Sequence, residues 1–571
     1  MHIVAPFSAS RTLTTAPPAR SASAAEAPRD SFRPAEGQEP PPPPPLPPTF
    51  QHNYYAQDSL AEQLLTAEAP RDGVQPGPTN ARLQVVDNST QEHAGFDQQG
   101  NMVYPPSDPR FTQVQAFIAA DRADKFFHQH LGRQTEWAFG APQIQIKPDD
   151  GDMLNAYYAR MEGSVNFFHH PNPAMNKTVS SGQSAEVVYH ELGHALLDSL
   201  RPDWLSSFSD ATGGMHEGFG DILSILVGLN DPRNLDKIIA ETGGDLKKQN
   251  SIGRLAEELG RSIWDERGRQ RPHHDYLRNA VNSLQNADPE TLPWNPPEED
   301  KLGREPHNYS RVISAAVYDV LASLNDQFQA QGFGVRESIE KARDVTAGLV
   351  MRGLEFSPTG DLPSYGHFLA GMLQADATDH GGKFTDTVRN KFAARNIHPP
   401  APEQPPQQPP KQGEPIRISE YAKSPLGARL FLESYREPLG IGQLPLEFRT
   451  SHSNDRGETF LVFDYTKDVP VKLEGEGVQE AVVKAKGGLV LGFAKDKALF
   501  FSNLNEVTPD KEQQIRSAVE AQQKAGRVSH GSIFQSEPGR ESLFKSQHVP
   551  FASYVAMENG QVVLKKSPII D

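Results

Sequence analysis

Two histidines and a glutamate within five residues have the spacing that most directly suggests chemistry. The segment Val187–Asp198 contains His190-Glu191-x-x-His194 among apolar neighbours, and this pattern predicts a buried helix. Positions i and i+4 lie on one face of an α-helix, so His190 and His194 can face a single metal ion. Glu191 is one residue round from His190, which places its carboxylate beside such an ion as a general base for a metal-bound water.

A second segment, from Gly213 to Leu223, supplies the carboxylates that such a metal site needs. Glu217 and Asp221 are four residues apart in an apolar helical pattern, so they share a face. A hydrolytic zinc site has three protein ligands and one open position, and two His with one Glu is a known set. We predict Glu217 as the third ligand and Asp221 as the acceptor that orients His190. The five-residue motif alone also fits an ordinary buried helix with two polar histidines.

The order of the motifs resembles the fungalysin metallopeptidases, within the broader thermolysin-like gluzincins. H-E-x-x-H followed by G-G-M-x-E-G-x-x-D carries the resemblance, which extends over roughly residues 100–398. Leu154–Tyr158 is similar to the family's Asn-Ala-x-aromatic edge strand, and Pro306–Ser310 to its H-x-x-S segment. Gly353–Phe356 and Leu373–Asp376 resemble the end of the catalytic domain. The resemblance implies an α+β gluzincin fold with a β-rich N-terminal lobe, a mainly helical C-terminal lobe and the active-site helix between them.

The resemblance also implies roles for residues outside the two helices. Asn155 and the backbone of Ala156 are expected to hold an extended substrate, and His307 is expected to stabilise an oxyanion. From its position alone, His307 could instead cap a helix. Tyr309 is a candidate second oxyanion donor or substrate contact. His216 is expected either to lie behind a metal ligand or to face the cleft.

Length and composition limit the fold and the partners. A chain of 571 residues has room for about two to four domains, and the absence of cysteine excludes a disulfide scaffold and a thiolate zinc finger. A net charge of −17 without a Lys/Arg block argues against a nucleic-acid or anionic-membrane partner. No run of about eighteen apolar residues occurs, so no transmembrane segment is expected.

We predict five segments along the chain. Residues 1–50, rich in Pro, Ala and Ser, form a predicted disordered leader. Residues 51–184 are predicted to be an N-terminal extension with the β-rich lobe, and residues 185–398 the helical lobe. Residues 399–414 are a predicted proline-rich linker. Residues 415–571 are predicted to be a small mixed α/β domain whose function the sequence does not indicate.

Local patterns predict several individual elements. Alternating apolar residues indicate strands at 81–87, 143–147 and 164–168. Helical periodicity occurs at 235–240, 252–264, 312–324 and 342–354. Ser181 or Ser184 is expected to cap the helix that carries His190, and a hairpin is expected to turn at Asn559-Gly560.

The N-terminal residues leave the compartment open. Residues 1–7 lack the apolar core of a secretory signal, which makes a cytoplasmic location the default. Fungalysins are secreted and usually carry a signal and a folded propeptide, neither of which is evident here. The Ser/Thr-rich start with Arg11 and Arg20 also weakly suits a transit peptide.

These observations favour a zinc endopeptidase with one catalytic Zn²⁺ and a protein or peptide substrate. Calcium is a possible further ion, but the sequence identifies no site for it. A gluzincin aminopeptidase is one alternative, although its acidic amine anchor, typically in a Gly-x-Met-Glu-Asn strand, is replaced here by Asn155-Ala156-Tyr157-Tyr158. A catalytically silent scaffold, binding partners through its proline-rich and C-terminal segments, is the other.

Overall fold

The computed structural model describes residues 47–60, 63–266, 275–296, 298, 300–400, 415–474, 480–529, 553–567 and 569–570. The described residues from Pro47 onward belong to one compact unit with a mixed α+β fold, which confirms the predicted class. Most of the predicted leader and linker, residues 1–46 and 401–414, lies outside the described residues. The first strand begins at Thr49, inside the last residues of the predicted leader.

Helices and strands alternate unevenly along the chain. The helices are α1 (Pro109–Leu131), α2 (Ala185–Leu200), α3 (Asp210–Gly228), α4 (Pro232–Thr242), α5 (Glu257–Glu266), α6 (Pro306–Ala330), α7 (Val335–Phe356), α8 (Tyr365–His380), α9 (Thr385–Ala394), α10 (Pro425–Tyr435) and α11 (Pro509–Lys524). The strands are β1 (Thr49–Tyr54), β2 (Leu65–Pro70), β3 (Leu83–Val85), β4 (Ile144–Lys147), β5 (Ala156–Ala159), β6 (Ser164–Phe167), β7 (His169–Asn172), β8 (Lys177–Ser180), β9 (Arg254–Leu255), β10 (Arg278–Asn279), β11 (Glu447–Ser453), β12 (Thr459–Lys472), β13 (Glu480–Phe493), β14 (Leu499–Asn505), β15 (Val528–Ser529), β16 (Ser553–Glu558), β17 (Gln561–Lys566) and β18 (Ile569–Ile570).

Most of the local predictions are confirmed. The three predicted early strands correspond to β3, β4 and β6, and Ser184 caps α2 by accepting a hydrogen bond from the Val187 N–H. Asn559 and Gly560 connect β16 to β17 with positive φ angles of 49° and 78°, as a type I′ turn requires. The helix predicted at 252–264 begins only at Glu257, because residues 254–255 pair as β9 with β10.

Helix α2 lies in the molecular core, so its polar side chains are buried and need partners inside the protein. Every residue of α2 except Ser199 is buried. Helix α3 packs against it at a pair of glycines: a Cβ on Gly193 would lie 3.1 Å from the Gly220 Cα. The missing side chains therefore let the two helices approach closely. Polar side chains on the facing sides of α2 and α3 must find their partners in each other, in side chains of neighbouring elements or in a bound ligand.

A five-stranded sheet lies beside α2, in the order β18-β5-β6-β4-β3. Strand β5 pairs antiparallel with β6, and β18, from the C-terminal end of the chain, pairs antiparallel with the other side of β5. The Tyr158 hydroxyl of β5 donates a 2.8 Å hydrogen bond to Asp198 of α2. Arg160, just after β5, pairs with the same carboxylate. These contacts fix the position of β5 along the helix that carries His190 and His194.

Residues beyond 415 build a second sheet, in the order β11-β12-β13-β17-β16-β15 with β14 on β13. This sheet packs on α7. The ring of Phe356 makes edge-to-face contacts with Phe460, Phe500 and Phe501, with ring centroids 4.9 to 6.2 Å apart. Buried Arg352 of α7 pairs with Glu458 at 2.5 Å. The C-terminal sheet and the helices therefore share a continuous interior. Among the described residues, no helix combines the length and the apolar character needed to cross a membrane.

Asp203, in the connection between α2 and α3, is a second ion-pair centre between these parts. Its carboxylate pairs with Arg449 of β11 and lies 2.7 Å from the Lys486 Nζ of β13. Burial opposes ionisation of Asp203, but the two cations outweigh it and lower the pKa of its carboxyl. A lowered folded-state pKa contributes stability above the unfolded pKa, which is about 4 for Asp. That contribution is lost as the pH falls from about 4 through the folded-state pKa.

We expect Asp203→Asn to lower the thermal midpoint at pH 7, because it leaves two cations without their buried counter-charge. The difference from wild type should shrink as the pH falls below about 4, since the wild-type carboxyl also becomes protonated there. Thermal unfolding followed by circular dichroism at several pH values measures this. Asp468→Asn, at an exposed ion pair with Lys484, is the matched control and should change the midpoint little. A pH-independent difference for Asp203→Asn would contradict the account.

Candidate metal centre

Helices α2 and α3 bring His190, His194 and Glu217 together. The Nε2 atom of His190 lies 3.3 Å from one carboxylate oxygen of Glu217, and the Nε2 atom of His194 lies 3.8 Å from the other. One ligand atom from each residue falls within 4.8 Å of the other two, and all three residues are buried. A His-His-Glu group that could hold a metal ion is therefore present.

The geometry and the hydrogen bonding of this group fit a metal ion. Ligand atoms on a tetrahedral ion lie about 3.3 Å apart when the bonds are about 2.0–2.1 Å long, and the distances from Glu217 to His190 and His194 are 3.3 and 3.8 Å. His194 is 0% exposed, and neither of its ring nitrogens makes a hydrogen bond within the described residues. Burial and the nearby charge of His190 lower the pKa of His194 well below its usual value. His194 is therefore neutral, with a nitrogen lone pair available to a ligand.

Asp221 lies behind His190, one helical turn beyond Glu217. Its carboxylate is 3.1 Å from the His190 Nδ1, and it also accepts a 3.3 Å hydrogen bond from the Ser314 hydroxyl. Burial disfavours the charge on His190, but hydrogen bonds to Asp221 and Glu217 outweigh it and raise its pKa to about 9. The Nδ1–H of His190 points at Asp221, so the Nε2 of the same ring faces His194 and Glu217.

Arg278 of β10 completes this part of the site. Its guanidinium lies 2.9 Å from Asp221, and burial is outweighed by this cation and by His190, so the pKa of Asp221 falls to about 2. The Nη2 of Arg278 is also 3.3 and 3.4 Å from the two ring nitrogens of His190. Near-equal distances place the guanidinium against the face of the ring, not in line with one N–H. Arg278 thus holds Asp221 ionised and brings positive charge to the site.

His307, at the N-terminus of α6, lies next to the group formed by His190, His194 and Glu217. Its Nε2 lies 3.3 Å from Glu217, and its Nδ1 is 2.7 Å from Glu305. Glu305 is the N-cap of α6, and its carboxylate accepts a hydrogen bond from the Asn308 N–H. Glu305, and not His307, therefore caps this helix. Burial opposes the charge on His307, but Glu217 and Glu305 outweigh it and raise its pKa to about 10. His307 is therefore a cation whose Nε2–H points toward the metal group.

Glu191 lines a cavity of about 600 Å³ next to the metal group. Its side chain is buried, at 4% exposure. The polar part of the cavity wall also contains the predicted substrate residues Asn155 and Ala156, together with His190, Arg278 and His307. An apolar part of the wall is formed by Val187, Leu255, Leu259, Ile263 and Leu277. The cavity thus combines carboxylates, basic side chains and an apolar surface at one place.

Two further predicted residues lie outside this cavity wall. His216 is 1% exposed, and its ring centroid is 5.8 Å from that of His194, so it packs behind the His194 ring instead of facing the cleft. Burial, together with Arg160, lowers its pKa to about 3 and keeps it neutral. Tyr309 is 3% exposed and donates its hydroxyl to Asn286 at 2.8 Å. The structure therefore does not bring the Tyr309 hydroxyl to the cavity.

Sequence reasoning missed Arg278, Glu305 and Ser314. A local signal existed for Glu305, because an acidic residue before Pro306 fits an N-cap followed by proline at the first helical position. No local signal marks Arg278, since only the pairing of β10 with β9 carries it to Asp221. Ser314 lies on the same face of α6 as Ser310, whose carbonyl also accepts its hydroxyl.

Comparison with known proteins adds no identification: no protein-family model matches the chain, and no curated protein matches it.

We expect Gly220→Ala to weaken metal binding. A Cβ at this position would lie 2.6 Å from the His190 Nδ1, so the imidazole must move away from Asp221 and from the other ligands. Disturbing such outer contacts typically costs about 10- to 100-fold in metal affinity. Competition with a chelator measures the affinity directly.

Gly348→Ala on α7 is the matched control, because a Cβ there meets nothing within 4 Å. It should leave metal affinity unchanged and slightly raise the thermal midpoint, since alanine favours helices over glycine by about 1 kcal/mol. Equal zinc affinity in Gly220→Ala and wild type would contradict the assigned packing of His190.

Proposed function

We propose that the protein is a zinc-dependent endopeptidase. The observation that carries the proposal is the position of Glu191, which lines one cavity together with His190 of the buried His-His-Glu group and with Asn155 and Ala156 at the start of β5. Hydrolysis of a peptide bond needs a held water, a base, a stabilised oxyanion and an extended substrate. The residues around this cavity are suited to each of these needs.

His190, His194 and Glu217 are the proposed ligands of one ion. Two imidazoles and one carboxylate are a donor set typical of catalytic zinc, and three protein ligands leave a fourth position open. A bound zinc ion would lower the pKa of a water molecule toward neutrality and polarise the carbonyl of the substrate. Asp221 and Arg278 keep His190 in the orientation that this ligand set requires.

Glu191 is the proposed general base. Its carboxylate accepts a proton as the water oxygen bonds to the carbonyl carbon of the scissile peptide. The same carboxyl then donates the proton to the amide nitrogen as the C–N bond breaks. The first products are a carboxylic acid and an amine, and the acid then gives its remaining water proton to the amine, which leaves a carboxylate and an ammonium group. Both hydrogens of water are thus accounted for, and Glu191 returns to its ionised form.

His307 is the proposed oxyanion donor, with Arg278 as a second cation at the cavity wall. Negative charge develops on the carbonyl oxygen when water attacks, and preorganised donors in a buried site stabilise it strongly. Glu305 raises the pKa of His307 and so favours the protonated ring, whose Nε2–H can donate to the oxyanion. Glu305 holds the ring by its Nδ1–H and thus aims the Nε2–H at the cavity.

The proposed substrate is an extended peptide with an apolar side chain beside the scissile bond. Asn155 and the backbone of Ala156 would hold the peptide as an added strand. The apolar part of the wall, which includes Leu259 and Leu277, suits the side chain. A sheet before α2 and helices after it support the two-lobe gluzincin architecture and the fungalysin resemblance as parts of the same proposal.

We expect Glu191→Gln to retain zinc and to lose peptide hydrolysis by about 10²- to 10⁴-fold, because an amide cannot accept the proton. The measurement is mass spectrometry of fragments from an unfolded protein substrate, with metal content determined in parallel. Wild-type protein should produce internal cuts beside apolar residues, and a chelator should abolish them. Glu337→Gln, at an exposed position on α7, is the control and should cut at the wild-type rate.

The other outcomes distinguish the alternatives. Glu191→Gln that holds zinc and cuts at the wild-type rate would refute the assigned base. Products shortened one residue at a time from the N-terminus would favour an aminopeptidase. Zinc-loaded wild-type protein that cuts no peptide would favour a binding scaffold.

A further inference from the structure

Strand β5 has two sides, and the chain itself covers one of them. Its inner side pairs with β6, and its outer side pairs with β18. Without β18, the backbone N–H and C=O groups on the outer side of β5 would be an open edge, ready to pair with another extended chain. Ala156, the first residue of β5, lines the cavity that contains Glu191.

The direction of β18 follows from its pairing with β5. Ile569 pairs with Ala159 and Ile570 pairs with Tyr158, antiparallel. From Ile569 to Ile570 the chain therefore runs along β5 toward Ala156 and the cavity. Strand residues are about 3.4 Å apart, so Tyr158 is about 7 Å from Ala156. Only Tyr157 lies between these two positions, so a substrate residue paired antiparallel at Ala156 has room for one further residue on its N-terminal side before the substrate meets β18.

We propose that β18 occupies the outer part of the peptide-binding edge and competes with long substrates for it. This inference rests on the proposed peptidase function. An extended substrate and β18 need the same backbone groups of Tyr158 and Ala159, and strand addition gives most of its affinity through such groups. The occupant is residues Ile569–Ile570 of this chain, and the partner that displaces it is an extended peptide.

Strand β18 has only two residues, but the short segment that joins it to β17 allows it to compete with a substrate. Strand β17 ends at Lys566, only two residues before β18, and is held between β13 and β16 in the C-terminal sheet. The Lys566 Nζ also lies 5.4 Å from the Phe208 ring centroid, which fixes this end of β17 beside the start of α3. A short tether gives an effective concentration in the millimolar range. A pairing of two residues remains weak enough for a well-matched substrate to displace it.

Two variants release β18 in different ways. Truncation after Ser567 removes it, and the full-length double variant Ile569→Pro/Ile570→Pro removes both backbone N–H groups, including the one that can bond to β5. Ile569→Val/Ile570→Val keeps the backbone donors and is the matched control. Hydrogen exchange of residues 156–160, followed by mass spectrometry, reports the pairing without any need for catalysis. Both releasing variants should exchange faster there, and the valine control should not.

Two synthetic peptides with the same scissile bond test the competition. One has two residues on the N-terminal side of that bond and the other has six. Release of β18 should raise kcat/KM for the longer peptide, by about tenfold if β18 is docked nine tenths of the time, and should leave the shorter peptide unchanged. Unchanged exchange in both variants, or an equal effect on the two peptides, would overturn the proposal.

A synthetic peptide of residues 567–571 separates failure of this inference from failure of the peptidase function. Added to the truncated protein, it should restore slow exchange at residues 156–160 and inhibit cleavage of the longer substrate. If no substrate is cut, the peptidase function fails, and binding of this peptide alone then decides whether β5 takes an added strand. Failure to restore protection would contradict the proposal in either case.

Discussion

The close contact of α2 with α3 is the constraint on which the site depends. Both helices are apolar and buried, so His194 on one helix and Glu217 on the other are almost completely shielded from water, and His190 meets water only at the cavity. Burying such groups is unfavourable unless they are paired or coordinate a metal ion. The glycine at 220 leaves room for the His190 ring, and without that space the three ligand atoms could not converge.

The surrounding charges form two chains that end at this group. One leads from Arg278 through Asp221 to His190, and the other leads from Glu305 to His307. Each chain pairs a cation with a carboxylate inside the protein, which explains why the pKa values of Asp221 and Glu305 both fall to about 2. In the proposed peptidase, this fixed charge pattern would require little rearrangement when negative charge develops on a substrate.

The residues beyond 415 contribute to the same structure, although the sequence gives no indication of it. Asp203 and Arg352 pair with side chains from the C-terminal sheet, and β18 adds to the sheet that lines the cavity. Proline-rich composition predicted a linker before this segment. Composition describes the connection but carries no information about which surfaces meet after it, because those contacts join residues more than a hundred positions apart.

The site residues that the sequence predicts lie in short local patterns, whereas those that it does not predict reach the site through contacts between distant parts of the chain. Helical spacing alone places His190, His194 and Glu191, and the next helix supplies Glu217 and Asp221 at the same period. Arg278 reaches the site through strand pairing, which no short pattern encodes. Tyr309 shows the opposite case: it lies two residues from His307, yet the helix turns its ring into the core beside Tyr365.

The most direct test of the central claim is the coordination of the bound metal, measured by X-ray absorption spectroscopy on the full chain loaded with one equivalent of zinc. We expect one zinc per chain with two imidazole nitrogens and carboxylate oxygen at about 2.0–2.2 Å, and loss of one imidazole contribution in His194→Ala. A protein that binds no zinc, or one whose spectrum is the same in His194→Ala, would contradict it.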